Sequence, residues 1–196
     1  MGHVYPPKEN DAMVFYQFDS AFSLGELNSI ERGLKNIEYV RATTAGGPID
    51  DRKSNIKWIP HTQEWDWLYY KLMELAEIAN DECWHFDLNS VPEMIQYTEY
   101  NSDELGKYDW HQDIGPGELS VRKISITVQL SDNHEYEGGD LCFWNGGESL
   151  ETNYDVANKG IGNVVIFPSY LVHSVKPVTK GTRKSFVLWL GGGHYK

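Results

Sequence analysis

Cysteine is scarce: Cys83 and Cys142 are the two in 196 residues, far apart and without a CxxC pairing. They give no sign of a disulfide framework or a zinc knuckle, and a reducing compartment fits. Positive charge is also in short supply, with 17 Lys and Arg against 29 Asp and Glu and a net charge of −12. Such a surface repels phosphate backbones, so no nucleic-acid partner is expected, whereas a basic partner would be steered in. Long apolar runs are missing; the longest are pieces such as 164–167, against the roughly 18 residues of a membrane span. The opening Met1-Gly2-His3-Val4-Tyr5-Pro6 has no basic or apolar leader region, and Pro6 stands where a myristoylation signal wants Ser or Thr. The expectation is a soluble, cytoplasmic protein with no membrane partner. Repeats and low-complexity segments are absent too, which predicts one domain over 1–196.

What is present is ordinary globular composition, 40% apolar and 23% charged. A chain this long buries roughly 70% of the surface its unfolded form exposes, so any metal has a task other than holding the core together. Two helices stand out. Ser23-Leu24-Gly25-Glu26 is a capping box, followed by a stripe of Leu24, Leu27, Ile30, Leu34 and Ile37, which predicts a helix ending near Asn36. Thr62 is the expected cap of a second, with Trp65, Leu68, Leu72, Leu75 and Ala79 on its apolar side. From about Glu93 the chain changes to short β-rich runs divided by Gly, Asn, Asp and Pro: 95–100, 123–130, 140–144, 163–167, 171–175 and 185–190. Helices first and antiparallel-looking strands second predict an α+β fold, a double-stranded β-helix (jelly roll) with the N-terminal helices packed on one face.

Of seven histidines, His3, His61, His134 and His194 have no ligand-type neighbour. His111 does, in Tyr108-Asp109-Trp110-His111-Gln112-Asp113. On extended chain, side chains two apart share a face, so the His111 imidazole and the Asp113 carboxylate converge. A second imidazole would complete a 2-His-1-carboxylate triad, which holds iron(II) and leaves positions open. His173 can supply it, two strands and a Pro168 turn further on. His85-Phe86-Asp87 has the same spacing, so spacing alone does not choose between the pairs. Arg183, ten residues after His173 and across the turn 178–181, adds a planar cation. Inside a barrel, such a guanidinium implies an anion, either an internal carboxylate or a bound dicarboxylate.

Taken in order, Tyr108-x-x-His111-x-Asp113, Leu130-Ser131-Asp132, Glu137-Gly138-Gly139-Asp140-Leu141, Gly160-x-Gly162, Phe167-Pro168, His173-x-Val175, Pro177-Val178, Gly181-x-Arg183 and Trp189 resemble the iron(II)- and 2-oxoglutarate-dependent dioxygenases, in particular the prolyl 4-hydroxylase-like branch. The resemblance covers 93–192. It implies that His111, Asp113 and His173 bind Fe(2+) and that Arg183 pairs with the distal carboxylate of 2-oxoglutarate, while His85 and Asp87 fall outside the pattern. Tyr100 matches the tyrosine that helps hold the co-substrate, with two residues more between it and His111 than in usual members; Tyr97 is a rival. Leu141 matches a position lining the co-substrate pocket; Tyr108, Arg122 and Trp189 match positions facing substrate. Gln129 stands where many relatives carry Tyr or Phe, near the co-substrate carboxylate, and Asp140 replaces the usual Glu.

The activity so implied is hydroxylation of a C–H bond of a peptidyl proline with O2 as oxidant, releasing succinate and CO2, with ascorbate as a stimulator and no general acid or base. The partner expected is a peptide or protein substrate, and the acidic surface favours a basic one. Hydroxylation of a free amino acid or other small molecule is the alternative. A nucleobase demethylase is disfavoured by Trp189, which stands where such relatives carry a second arginine. A non-catalytic jelly-roll module leaves His111, Asp113, His173 and Arg183 unexplained.

Overall fold

In the computed structural model, residues 14–42 and 51–193 are described. The opening segment 1–6, with His3, and also His194 lie outside them. The larger sheet runs β1 (Tyr16–Phe18), β12 (Val164–Pro168), β8 (Arg122–Gln129), β14 (Val178–Gly192), β6 (Ile95–Asn101), β4 (Asn55–Ile59) and β2 (Val40–Arg41), with β5 (Leu88–Ser90) and β9 (Tyr136–Gly138) pairing onto β14. The smaller runs β11 (Tyr154–Val156), β10 (Leu141–Trp144), β13 (His173–Val175), β7 (Lys107–His111) and β3 (Arg52–Lys53). Neighbouring strands are antiparallel throughout. The expected jelly-roll architecture is what these two sheets form.

Strand alternation divides the larger sheet into two unlike faces. Ile124, Ile126 and Val128 of β8, with Phe186, Leu188 and Leu190 of β14, form one core with Ile30, Leu34, Leu68 and Leu72 of the helices α1 (Leu24–Leu34) and α2 (Asp66–Cys83). Each fully buried side chain of this kind contributes roughly 1.5–3 kcal/mol of transfer free energy. The helices therefore cover one face of the sheet, as the sequence predicts. The opposite face carries Val165 and Phe167, which pack against Leu141, Phe143 and Val175 of the smaller sheet. It also carries the buried polar residues Ser125, Thr127, Arg183 and Ser185.

The capping box at α1 is formed in full: Ser23 Oγ accepts from Glu26 N–H, and Glu26 accepts from Ser23 N–H. Leu24, expected on the apolar stripe, is 72% exposed, whereas Ile30 and Leu34 further along α1 are buried. The cap expected at Thr62 is not made. Trp65 is the N-cap of α2, without a side-chain bond, and its N–H donates to the Thr62 carbonyl. The Trp65 ring fills the place of an absent side chain at Gly33, where a Cβ would lie 2.5 Å from Cζ2. No helix among the described residues is long and apolar enough to cross a membrane.

Candidate metal centre and the cavity around it

Cross-strand register assembles the site. His173 of β13 is paired directly with His111 of β7, so both imidazoles stand on one face with ring centroids 4.2 Å apart. Two residues on, Asp113 has left the strand and is fixed at both ends: its N–H donates to the Ser169 carbonyl, and its Oδ2 accepts from Ser125 Oγ at 2.7 Å. Arg122 Nη1 donates to the Asp113 carbonyl at 2.9 Å. Each imidazole has a backbone carbonyl at Nδ1, Asp109 O at 2.7 Å from His111 and Leu171 O at 2.8 Å from His173. A carbonyl only accepts, so Nδ1 carries the proton and the Nε2 lone pair is left free.

Both lone pairs are directed at Asp113. His111 Nε2 lies 3.6 Å from Oδ1 and His173 Nε2 lies 3.7 Å from Oδ2. These distances are too long for hydrogen bonds and leave room for a cation shared by all three. The three donor atoms lie within 4.8 Å of one another, and no other such group occurs among the described residues. His85 and Asp87 are not part of it; His85 occupies a left-handed position, φ 56°, just after α2.

Burial alone would raise the Asp113 carboxyl. The adjoining His173 and His111 imidazoles and the Ser125 hydroxyl outweigh it and hold the group well below the usual carboxylate range. Burial pushes His173 the other way, down to about 4, with His111 adding to the effect. At neutral pH the cluster therefore offers an ionised carboxylate and a neutral His173. Two nitrogens and one carboxylate oxygen on one side of an ion are the donor set of an open-faced iron(II) site.

The cluster opens into a cavity of about 560 Å³ between the two sheets. Arg183, Tyr100, Leu141, Tyr108, Arg122 and Trp189 all line it. Tyr97 does not. Three residues along β6 put Tyr97 and Tyr100 on opposite faces, and Tyr97 packs on Phe186 in the helix-side core with its hydroxyl on Glu99. Arg183 is 1% exposed, directly opposite Tyr100 in the sheet, with Cζ 5.4 Å from that ring. Its Nη1 reaches Ser185 Oγ at 3.3 Å, while Nε and Nη2 have no partner, and no carboxylate among the described residues lies within ion-pair distance. A buried cation in that state calls for an anionic ligand.

The Gly138-Gly139 pair lets the backbone pack closely behind Arg183. Gly139 has φ 62°, and a Cβ there would lie 3.0 Å from Arg183 Cδ; at Gly138 one would lie 2.1 Å from the Pro177 carbonyl oxygen. Gln129, expected near the co-substrate carboxylate, does not line the cavity; it is buried opposite Ser185 with both amide atoms unpartnered. Tyr108 stacks on His111, centroids 3.5 Å apart and 16° between planes. Arg122 lies 3.8 Å over the Trp189 ring and is ion-paired with Glu93. Three contributors escaped the sequence reading: Ser125, which positions Asp113, and Arg52 and Gln96 on the cavity wall. Ser125 and Thr127 alternate with Ile124, Ile126 and Val128 along β8; Ser125 reaches Asp113 and Thr127 lies on the cavity wall.

A profile of the 2OG-Fe(II) oxygenase superfamily matches residues 95–191, the stretch that carries every one of these elements from β6 to β14. The chain belongs to the 2OG-Fe(II) oxygenase superfamily. A PKHD-type hydroxylase of Rippkaea orientalis is 26% identical over 170 residues, 84% of this chain and 72% of that protein. Several other PKHD-type hydroxylases match over shorter stretches, 36%, 35% and 45% of their own length. Among solved structures, this oxygenase shares its fold with a Pseudomonas putida prolyl-4-hydroxylase (TM-score 0.67, 16% identity, 92% of this chain and 93% of that one). It shares it also with a Trichoplax adhaerens prolyl hydroxylase in complex with a peptide fragment of the hypoxia inducible factor oxygen degradation domain (TM-score 0.71, 16% identity, 91% and 83%).

Proposed function

We propose that the protein is an Fe(II)- and 2-oxoglutarate-dependent hydroxylase of a prolyl C–H bond in a peptide, with His111, Asp113 and His173 as the iron ligands. The observation that carries this reading is the pairing of that open-faced donor set with Arg183, a buried cation with two unpartnered nitrogens in the same cavity. Arg183 anchors the distal carboxylate of 2-oxoglutarate, Tyr100 flanks it, and Leu141 closes the apolar side. When bound, iron with 2-oxoglutarate and O2 supplies oxidative decarboxylation to succinate and CO2 and insertion of an oxygen atom into a C–H bond.

The protein's own part is geometric and electrostatic. The carbonyls of Asp109 and Leu171 fix the two imidazole tautomers, and Ser125 and Arg122 hold Asp113 from either side. Tyr108, Trp189 and Arg122 form the wall on which a peptide lies. The peptide-bound prolyl hydroxylase and the PKHD-type relatives support a prolyl substrate. The acidic surface suits a basic peptide, a cytoplasmic location suits two cysteines that form no disulfide, and ascorbate is expected to stimulate turnover.

The test is succinate formation by purified protein with Fe(II), 2-oxoglutarate and a panel of proline-containing peptides, followed by mass spectrometry for an added oxygen. The expected result is iron-dependent succinate with a matching hydroxylated peptide. Absence of both Fe(II)-dependent 2-oxoglutarate consumption and Mn(II) binding at this cluster would refute the reading.

A further inference from the structure

Resting on the hydroxylase reading, we infer that Arg52 is the anchor for a carboxylate on the substrate, so that the cavity takes a carboxylate-bearing substrate rather than a neutral peptide segment. Arg52 enters from β3, at the edge of the smaller sheet, and is paired in register with Tyr108. Its guanidinium crosses toward the larger sheet, where Nη2 donates to Gln96 Oε1 at 2.6 Å and Nε donates to Ser54 Oγ at 2.9 Å. Cζ stands 4.8 Å from the centre of the Tyr108 ring, the ring that stacks on His111. One aromatic side chain thus separates this cation from the metal cluster.

Among the described residues, every partner of Arg52 is neutral. Gln96, Ser54, Thr98 and a phenol ring take its hydrogen bonds and its face, and no carboxylate among the described residues lies within ion-pair distance. Nη1 makes no hydrogen bond among the described residues, and Arg52 lines the cavity. The other cationic side chains of the cavity have anionic partners in the loaded site. Arg122 is paired with Glu93. A divalent ion and Arg183 balance Asp113 together with the two carboxylates of 2-oxoglutarate. At the rim, Asp109 is paired with Lys107, and Asp51, the neighbour of Arg52 in sequence, makes no ion pair with it. Among the cations of the cavity, Arg52 is the one left without a carboxylate partner among the described residues once the site is loaded, and its planar fork suits a carboxylate. A substrate carboxylate held there sets the reacting carbon at a fixed distance from the metal, across the Tyr108 ring.

Calorimetric titration of the full chain, loaded with Mn(II) and 2-oxoglutarate, compares matched acid and amide probes. These are L-proline against L-prolinamide, and Gly-Pro peptides ending as free acid against the same peptides amidated. The expected result is binding of an acid form about tenfold to a hundredfold tighter than its amide, the range of a charge-assisted hydrogen-bonded contact. Arg52→Gln should bring that ratio toward one and Arg52→Lys should keep part of it. Whichever acid binds better, amino acid or peptide terminus, names the source of the carboxylate. Equal binding of acids and amides by the wild type overturns the inference without any variant, as does absence of acid binding at millimolar concentration or an unchanged ratio in Arg52→Gln. Failure of Mn(II) and 2-oxoglutarate to bind at all would instead remove the hydroxylase reading, and this inference with it.

Discussion

At the scale of single residues, the two halves of the site separate cleanly. His173→Ala deletes one of three donors and should lower Mn(II) affinity beyond detection, and the chain should still fold, because none of the three donors belongs to either apolar core. Arg183→Ala should leave Mn(II) affinity close to wild type and weaken 2-oxoglutarate binding about tenfold to a hundredfold, since charge-assisted hydrogen bonds are worth about 1.5–3 kcal/mol. Titration calorimetry of both ligands on both variants checks the pair. Loss of metal binding in Arg183→Ala would mean that the arginine shapes the cluster rather than the co-substrate end. Tyr100 and Tyr97 teach a related lesson: an odd separation on one strand assigned them to opposite sides of the sheet, and one sequence could not say which side held the cavity.

At the scale of elements, the capping box of α1 was legible in Ser23-Leu24-Gly25-Glu26 because cap chemistry is local. Glu26 accepts from Ser23 N–H, from Ser23 Oγ and from Lys71 Nζ on α2, so it links the two helices as well. Partial burial pulls its pKa upward, but the Lys71 and Ser23 bonds prevail and bring it down to about 2. A depressed carboxyl stabilises the fold above its ordinary value, and that contribution is lost as pH falls from about 4.5 toward 2. Glu26→Gln should therefore cost about 1 kcal/mol at pH 7, with the gap to wild type narrowing in denaturant melts between those two values. A gap independent of pH would contradict the assignment. Strands carried by tertiary pairing were harder to read. Short β2, β3, β5, β9 and β11 have two or three residues each and no periodicity to detect, and β7 was recognisable only through its His-x-Asp spacing. Thr62 looked like a cap, yet burial of Trp65 against Gly33 decided where α2 begins.

For the molecule as a whole, the helix-covered face and the cavity face of the larger sheet are separate, so ligand and stability should be coupled only through mass action. Mn(II) at a hundredfold its Kd should stabilise the protein by about 2.7 kcal/mol, several degrees in calorimetric midpoint. Chelation should return the midpoint without changing the far-ultraviolet circular dichroism. Melting on chelation would show that the ion holds the fold. The two-faced sheet also constrains how the gene can drift. In β8, Ser125 and Thr127 serve the reaction chamber, while Ile124, Ile126 and Val128 serve the scaffold. Deleting a single codon within it would exchange the two sets, turning Ile and Val toward the ligands and Ser and Thr toward the helices. This strand can tolerate substitution in phase, and a frame slip of one residue would cost the enzyme its chamber and its scaffold together.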